Sequence, residues 1–364
     1  MTTRRSILRW TGVAALGGAL AGVAGLRGAR AANPYYQGPP SDHFDGLRFF
    51  NPNGRPPGTI ADVIKWQLGE GMQKWKRPVP APSPTVPEPR VDDLRVTMIG
   101  HASMLLQCGG RNVLLDPVFS DRASPLPLGD PLRFNPPGIR FDDLPPIALV
   151  LVSHHHYDHL DTTSLKRLVA AHDPRIVTPL GNDTIIRGAV PDARVSAHDW
   201  GESVEVAGLR VSLEPAHHWS ARGVADRRKA LWAAFVIEAG EGTPPFGRVY
   251  HVGDTGYHSG INYRDAAAKY GGLRLAILPI GAYAPRWFMS PQHQDPAEAL
   301  AGFLECGAGH MVAHHWGTFQ LTAEPWDEPR QKMNEAVAEQ GVDPARIHMP
   351  RPGEHVDVPP VAMG

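Results

Sequence analysis

At 364 residues, with 42% apolar and 20% charged side chains, the chain is long enough to bury a large core, as one sizeable domain or two closely packed halves. A formal charge of −1 excludes the bulk electrostatics of a nucleic-acid binder, and no nucleic-acid partner is expected. Its 38 glycines and 37 prolines call for many turns and long ordered loops.

The N-terminus has the pattern of a twin-arginine export signal. Thr3-Arg4-Arg5-Ser6-Ile7-Leu8-Arg9 precedes a modestly apolar stretch, Trp10 to Leu26, and Ala29-Arg30-Ala31 offers a small-x-small cleavage site. Residues 1–31 are therefore expected to be a signal peptide, and the mature protein to be periplasmic, with membrane association open. An uncleaved anchor is the competing reading, since the stretch approaches the length of a span. Cleavage would remove five arginines and no acid, taking the formal charge from −1 to −6.

Residues 32–90 read as an N-terminal arm, a helix and a proline-rich linker. Asn33 to Pro57 is rich in proline, glycine and aromatics. Ile60, Ile64, Leu68, Met72 and Trp75 fall at near-helical spacing. That apolar stripe packs on the body of the protein in the simpler reading. In the other it lies at a membrane interface, with Trp66, Trp75, Lys74, Lys76 and Arg77 at the boundary. Prolines 78, 80, 82, 84, 87 and 89 make the following stretch extended.

From residue 91 to 358 the pattern is that of one mixed domain. Strands are expected over Leu94–Ile99, Ser103–Gln107, Asn112–Leu115 and Ala148–Ser153, then helices over Asp161–Ala171 and Asn182–Ala189. Further strands fall at Val195, Ser203–Val206, Leu209–Leu213, Leu231–Ile237, Arg248–Val252, Leu275–Ile280 and His310–Ala313. Helices cover Ile261–Tyr270, Pro296–Cys306 and Arg330–Gln340. Meandering strands followed by mixed strands and helices predict an α/β architecture, two central sheets covered outside by helices. Cys108 and Cys306 are far apart in sequence and are taken as buried thiols.

The chemistry concentrates at strand ends. After the apolar run Ala148 to Val152, His154-His155-His156-Tyr157-Asp158-His159, read as His-x-His-x-Asp-His, places four metal-ligand side chains within six residues. Alternate side chains of an extended segment share a face, so His154 and His156 can grip one ion together. Asp158 and His159 follow a turn and can reach a second. Asp254, in the Gly-flanked turn Gly253-Asp254-Thr255-Gly256, carries a carboxylate able to bridge two cations. His217-His218-Trp219 and His314-His315-Trp316 each end a strand with a histidine pair. Periodicity does not say which member of either pair binds metal.

These residues resemble the metallo-β-lactamase fold superfamily, and within it the branch of N-acylphosphatidylethanolamine-hydrolysing phospholipases D and their bacterial relatives. The shared strings include Gly100-His101-Ala102, Asp116 to Pro125, Ser153 to Asp161, His218-Trp219, Gly253 to Tyr257, Gly281 to Met289 and His315 to Phe319. The resemblance covers roughly Phe49 to Gly341. It implies an αββα sandwich, with the histidine directly before tryptophan as ligand in both pairs. It further implies His154, His156 and His218 on one zinc, Asp158, His159 and His315 on a second, and Asp254 between them. Asp158 and His293 are the candidate catalytic residues. His293 matches a family histidine near the reaction centre, as proton donor, phosphate contact or structural cap. The chain departs from the branch at His155, where the lipid enzyme has asparagine, and in its export signal.

Two close divalent ions supply an activated water and stabilise charge on phosphoryl oxygens. The expected activity is thus a phosphodiesterase of the phospholipase D type, releasing N-acylethanolamine and phosphatidic acid from phospholipid or acting on another small phosphodiester. A metal-dependent lactonase or β-lactam-type carbonyl hydrolase is the alternative, and a non-catalytic metal-binding envelope protein a third. Trp66, Trp75, Trp287, Phe288 and Met289 are candidates for membrane insertion or for packing.

Overall fold

Alternation of apolar side chains decides the architecture. In the computed structural model, residues 32–69, 74–76, 80–125 and 131–361 are described. The expected signal peptide (1–31), residues 70–73 of the expected helix and linker residues 77–79 lie outside them. Strands β1 (Leu94–Gly100), β2 (Ser103–Cys108), β3 (Arg111–Leu115), β4 (Leu149–Leu151), β5 (Arg175–Pro179) and β6 (Arg194–His198) follow in chain order. With the C-terminal β14 (His355–Asp357) they form one seven-stranded sheet, ordered β14-β1-β2-β3-β4-β5-β6. Pairing is antiparallel from β14 to β3 and parallel from β3 to β6.

The second sheet repeats this plan. Strands β7 (Ser203–Val206), β8 (Leu209–Glu214), β9 (Ala234–Ala239), β10 (Arg248–His251), β11 (Leu273–Pro279), β12 (His310–His314) and β13 (Ile347–His348) lie in the order β13-β12-β11-β10-β9-β8-β7. The run β7 to β10 is antiparallel and β10 to β13 parallel.

One face of each sheet turns inward. Met98, Leu106, Leu115 and Leu151 of the first meet Leu213, Phe235, Ile277 and Val312 of the second in a single buried core. Their sequence neighbours point outward, as a period of two demands. Leu105, Leu114 and Val150 lie against Leu165 and Leu168 of α2 (Thr162–His172) and Ile186 of α3 (Asn182–Ala189). Val236, Ala276 and Met311 lie against α4 (Ile261–Tyr270), α6 (Pro296–Cys306) and α7 (Glu328–Gln340) through Tyr263, Phe303 and Met333. The sandwich is therefore αββα, as the resemblance implied.

Some elements differ from expectation. β5 was not anticipated: Pro174 precedes and Pro179 ends a five-residue strand that reads as loop. The expected strand from Leu231 begins only at Ala234. Leu231 and Trp232 pack instead with Phe44 and Phe49 of the arm, and the Leu231 N–H donates to Leu180 O. The expected helix after Thr59 is α1 (Ile60–Leu68), opened by a capping box between Thr59 and Asp62 and followed by Gly69. The short α5 (Arg286–Met289) was also unanticipated. Among the described residues no helix is long and apolar enough to cross a membrane.

Cys108 faces the inter-sheet core and Cys306 the outer core over the second sheet, both free and buried. Burial pushes each thiol up to about 12. Only the thiolate is nucleophilic, so both should be inert to a thiol-specific reagent in native protein. Titration with such a reagent is expected to count no thiols before unfolding and 2 after it.

Candidate metal centre

The chemistry-bearing residues sit where strands end. Asp116 follows β3, the run His154 to His159 follows β4, His218 follows β8, Asp254 follows β10 and His315 follows β12. Because β10, β11 and β12 are parallel and in register, His251 lies beside Ile277, and Pro279 beside His314. The loops after these strands thus open on one edge of the sandwich. Gly253 lets the Asp254 loop close on the His154 loop: its φ is +64°, and a Cβ there would stand 2.7 Å from Ser153 Cβ. His101, Asp116 and His315 all hold left-handed backbone angles (φ 56°, 40° and 61°). Such angles in non-glycine residues cost about 1–3 kcal/mol each and gather at functional sites.

The histidine run behaves as its spacing predicts. The chain stays extended to His155 and turns at His156, whose carbonyl accepts from His159 N–H (3.1 Å) and Leu160 N–H (2.8 Å). His154 Nε2 and His156 Nδ1 come within 2.9 Å, while His155 faces away toward Asn182. Arg222 clamps both ends of the loop, donating to His155 O (3.1 Å) and Leu160 O (2.7 Å).

Two donor groups result. In the first, the ligand atoms of His154, His156 and His218 lie within 4.8 Å of one another, and in the second those of His101, Asp158, His159 and His315 do. Asp254 stands between them. Its Oδ2 is 3.1 Å from His315 Nε2, 3.2 Å from His159 Nε2, 3.7 Å from His218 Nε2 and 4.0 Å from His154 Nε2. Asp158 Oδ2 lies 3.3 Å from His315 Nε2 and 3.5 Å from His159 Nε2. His293 borders both groups, with Nδ1 4.0 Å from Asp254 Oδ2. The other members of the two pairs lie elsewhere. His217 contacts Asn262 and stacks on His258, and His314 faces His251.

Hydrogen bonds behind the ring set the tautomers. Asp116 Oδ2 accepts from His159 Nδ1 (2.7 Å) and from Ser153 Oγ (2.7 Å), and its Oδ1 accepts the Ser153 N–H (2.7 Å). Ser153 Oγ, having donated to Asp116, accepts from His154 Nδ1 at 3.0 Å. His218 Nδ1 donates to Gln292 O at 3.0 Å. Each of the three rings therefore points its Nε2 inward, the atom through which each would bind metal. The residues present fit a metal. Nitrogens sharing one tetrahedral zinc at about 2.0–2.1 Å stand about 3.3 Å apart. His218 Nε2 and His156 Nδ1 are separated by 3.3 Å, and the buried His159 Nε2 and Asp254 Oδ1 have no hydrogen-bond partner.

Electrostatics point the same way. Burial, then neighbouring histidines, hold His154 and His156 well below the usual range, so both are neutral. Burial also works against protonation of His315, yet Asp254 and Asp158 overcome it and lift the ring to about 9. His159 is raised in the same manner. Two carboxylates in a dry site demand cationic charge between them, which a divalent ion supplies.

Reading the sequence missed the supporting layer of Asp116, Ser153 and His101. His101 Nε2 donates to Asp158 Oδ2 at 3.0 Å from the turn between β1 and β2. Asp116 ends an apolar strand just as the His154 run does, and that position is the signal that could have flagged it.

Residues 111–316 match the family model described as beta-lactamase superfamily domain. The chain belongs to the metallo-β-lactamase superfamily. It is a metal-dependent hydrolase of that superfamily, and it resembles the N-acylphosphatidylethanolamine-hydrolysing phospholipases D. It is 36% identical over 255 residues to the N-acyl-phosphatidylethanolamine-hydrolyzing phospholipase D 1 of Caenorhabditis elegans, covering 67% of this chain and 70% of that one. An uncharacterised protein of Mycobacterium tuberculosis is 35% identical over 301 residues, covering 81% of this chain and 77% of its own length. Among solved structures, an isothiocyanate hydrolase from Delia radicum gut bacteria shares the fold, with a TM-score of 0.56, 18% identity and coverage of 72% and 98%.

Two substitutions probe the centre. Asp254→Ala should lower metal content per chain and abolish turnover together, read by elemental analysis alongside a hydrolysis assay. Asp116→Asn keeps the shape but weakens the orientation of His159 and Ser153. It should cost about 10–100-fold in metal affinity with the fold intact, read by competition with a chelating dye.

Proposed function

We propose that the protein is a zinc-dependent phosphodiesterase of the N-acylphosphatidylethanolamine phospholipase D type, releasing N-acylethanolamine and phosphatidic acid. The observation that carries this reading is one carboxylate oxygen, Asp254 Oδ2, standing between two sets of metal-ligand atoms. The 36% identity to the nematode enzyme supports the substrate class. In this reading His154, His156 and His218 would hold one zinc, and Asp158, His159 and His315 a second, with Asp254 shared.

Two adjacent divalent ions activate a water and offset the negative charge of phosphoryl oxygens. The chain's own residues orient and protect that chemistry. Asp116 and Ser153 lock the His154 and His159 rings, and His101 fixes which way Asp158 Oδ2 points. Burial holds His293 well below the usual histidine range, so the ring is neutral and brings one N–H. We assign that N–H to a phosphoryl or departing oxygen, and Asp158 to the second ion beside it. Burial of the other ligands, with only His156 half-buried, limits bulk water at the centre.

Access to lipid belongs to the same proposal. Export by the twin-arginine route to the periplasm brings the enzyme to a membrane surface. Ile64 and Leu68 of α1 are 51% and 80% exposed and Trp287 is 45% exposed, with Lys65 over the Trp287 ring. These groups form the candidate contact. The other candidates are packed: Trp66 stacks on Phe288, Met289 is buried, and Trp75 Nε1 donates to Glu324 O at 2.8 Å.

Metal-replete protein should cleave bis(p-nitrophenyl) phosphate and N-acylphosphatidylethanolamine, and chelation should abolish both activities. Turnover of a lactone or β-lactam without phosphodiester cleavage would overturn the substrate class and leave the metal centre standing.

A further inference from the structure

Beside the metal centre lies a group of arginines that the reaction does not use. Arg48, Arg55, Arg227 and Arg228 come from the N-terminal arm and from the loop between β8 and β9. Arg48, Arg227 and Arg228 line a cavity of about 260 Å³, floored by Pro56, Pro57 and Thr59. A second cavity of about 180 Å³ shares Pro56, Pro57 and Arg228 with it, and His218 and Arg55 also line it. Among the described residues no carboxylate lies within 4.0 Å of any of these four guanidinium groups. The nearby Asp45 spends its Oδ1 on the backbone N–H groups of Leu47 and Arg48.

Like charges gathered without counter-charges are costly, and this group is partly desolvated. Burial, then Arg228 and Arg48, hold Arg227 below the usual arginine range, and burial with Arg48 does the same to Arg228. Arg48 Nε is buried with no hydrogen-bond partner. Arg228 keeps a left-handed backbone (φ 60°), its N–H donating to Ser220 O and its carbonyl accepting from Phe49. The arm and the loop thus hold three guanidinium groups together against their repulsion. The group is also coupled to the centre. The Arg227 guanidinium lies 4.5 Å from the Trp219 ring centre, and Trp219 packs edge-on against His156 with centroids 4.9 Å apart.

We infer that the cavity between Arg48, Arg227 and Arg228 is an anion subsite, taking a second phosphate or carboxylate carried on one ester arm of the substrate. The inference rests on the phosphodiester reading and extends its substrate class to diesters that carry a second anion. N-Acylphosphatidylethanolamine carries its one charge on the scissile phosphodiester and leaves this subsite empty. A diester with a further anion one side chain beyond the metals fills both. Planar guanidinium forks suit phosphate and carboxylate, and partial burial protects the attraction from salt better than an exposed patch would.

The test compares the metal-replete full chain with the Arg227→Ala/Arg228→Ala double variant on two soluble diesters. One is bis(p-nitrophenyl) phosphate; the other is a p-nitrophenyl diester whose second arm ends in a phosphate monoester. Wild type should favour the doubly anionic diester by about tenfold or more in kcat/KM, expressed in KM, and the double variant should lose that preference. Equal preference in the two proteins overturns the inference. Calorimetric titration with inorganic phosphate gives a readout independent of turnover, so failure of the phosphodiester reading is distinguishable from failure of the subsite. Wild type should bind one phosphate more per chain than the variant, and equal stoichiometry overturns the subsite. Vesicles of phosphatidylcholine with and without phosphatidylglycerol complete the test. Arginine-dependent binding to anionic vesicles, with no preference between the soluble diesters, would overturn assignment of the anion to the substrate. Should the double variant fail to fold, Arg48→Gln makes the same comparison from the opposite wall.

Discussion

The Asp116 carboxylate is fully buried, and three hydrogen bonds of 2.7 Å tie it to Ser153 and His159. An ion taken wholly out of water is tolerated only when its lone pairs are occupied, and this one is occupied by groups from the next strand end. Through Ser153 it also sets the His154 ring. One side chain at the end of β3 thereby fixes the orientation of a donor in each of the two metal-ligand groups. His251 Nε2, 3.8 Å away at the end of β10, brings the second sheet within reach of the same carboxylate. The strain at Asp116, His101 and His315 is borne because packing and hydrogen bonds over-determine those positions.

The apolar sandwich beneath makes this possible. Inward-facing side chains from both sheets form one core, and the polar cluster sits on it where the strands stop, so that charge meets charge rather than hydrocarbon. Donors from the first sheet (His154, His156, Asp158, His159) and from the second (His218, Asp254, His315) converge only when the sheets are face to face. Metal affinity and folding are consequently one linked quantity, since the unfolded chain holds no such arrangement.

How much of this was legible in the sequence followed from range. The His154 run could be read locally, because an apolar strand, an extended dipeptide spacing and a turn are all contained in twelve residues. The outer helices were expected close to where they lie, and the two-sheet class followed from the order of strands and helices. What was missed depends on partners far away in the chain. Asp116 meets His159 across 43 residues and His101 meets Asp158 across 57, and although its strand-end position marks Asp116, no local pattern announces either pairing. β5 was hidden by its flanking prolines, and the terminal edge strands β13 and β14 are too short to show a period. Leu231 and Trp232 read as strand because they are apolar and buried, but what buries them is the arm with Phe44 and Phe49. The same arm holds the centre's outer wall, since Asn51 Nδ2 donates to His218 O at 2.9 Å.

The edge of the first sheet is completed by β14, which pairs with β1 in the register Arg95 to Asp357, closed by an ion pair spanning 262 residues. A contact of such sequence separation is slow to form, because the loop must be closed before the pairing returns any stabilisation. During synthesis β1 leaves the ribosome long before its outer neighbour exists, and its backbone edge stays open until His355 to Asp357 have been made. A nascent chain halted anywhere before His355 therefore presents an unpaired β-edge to its surroundings.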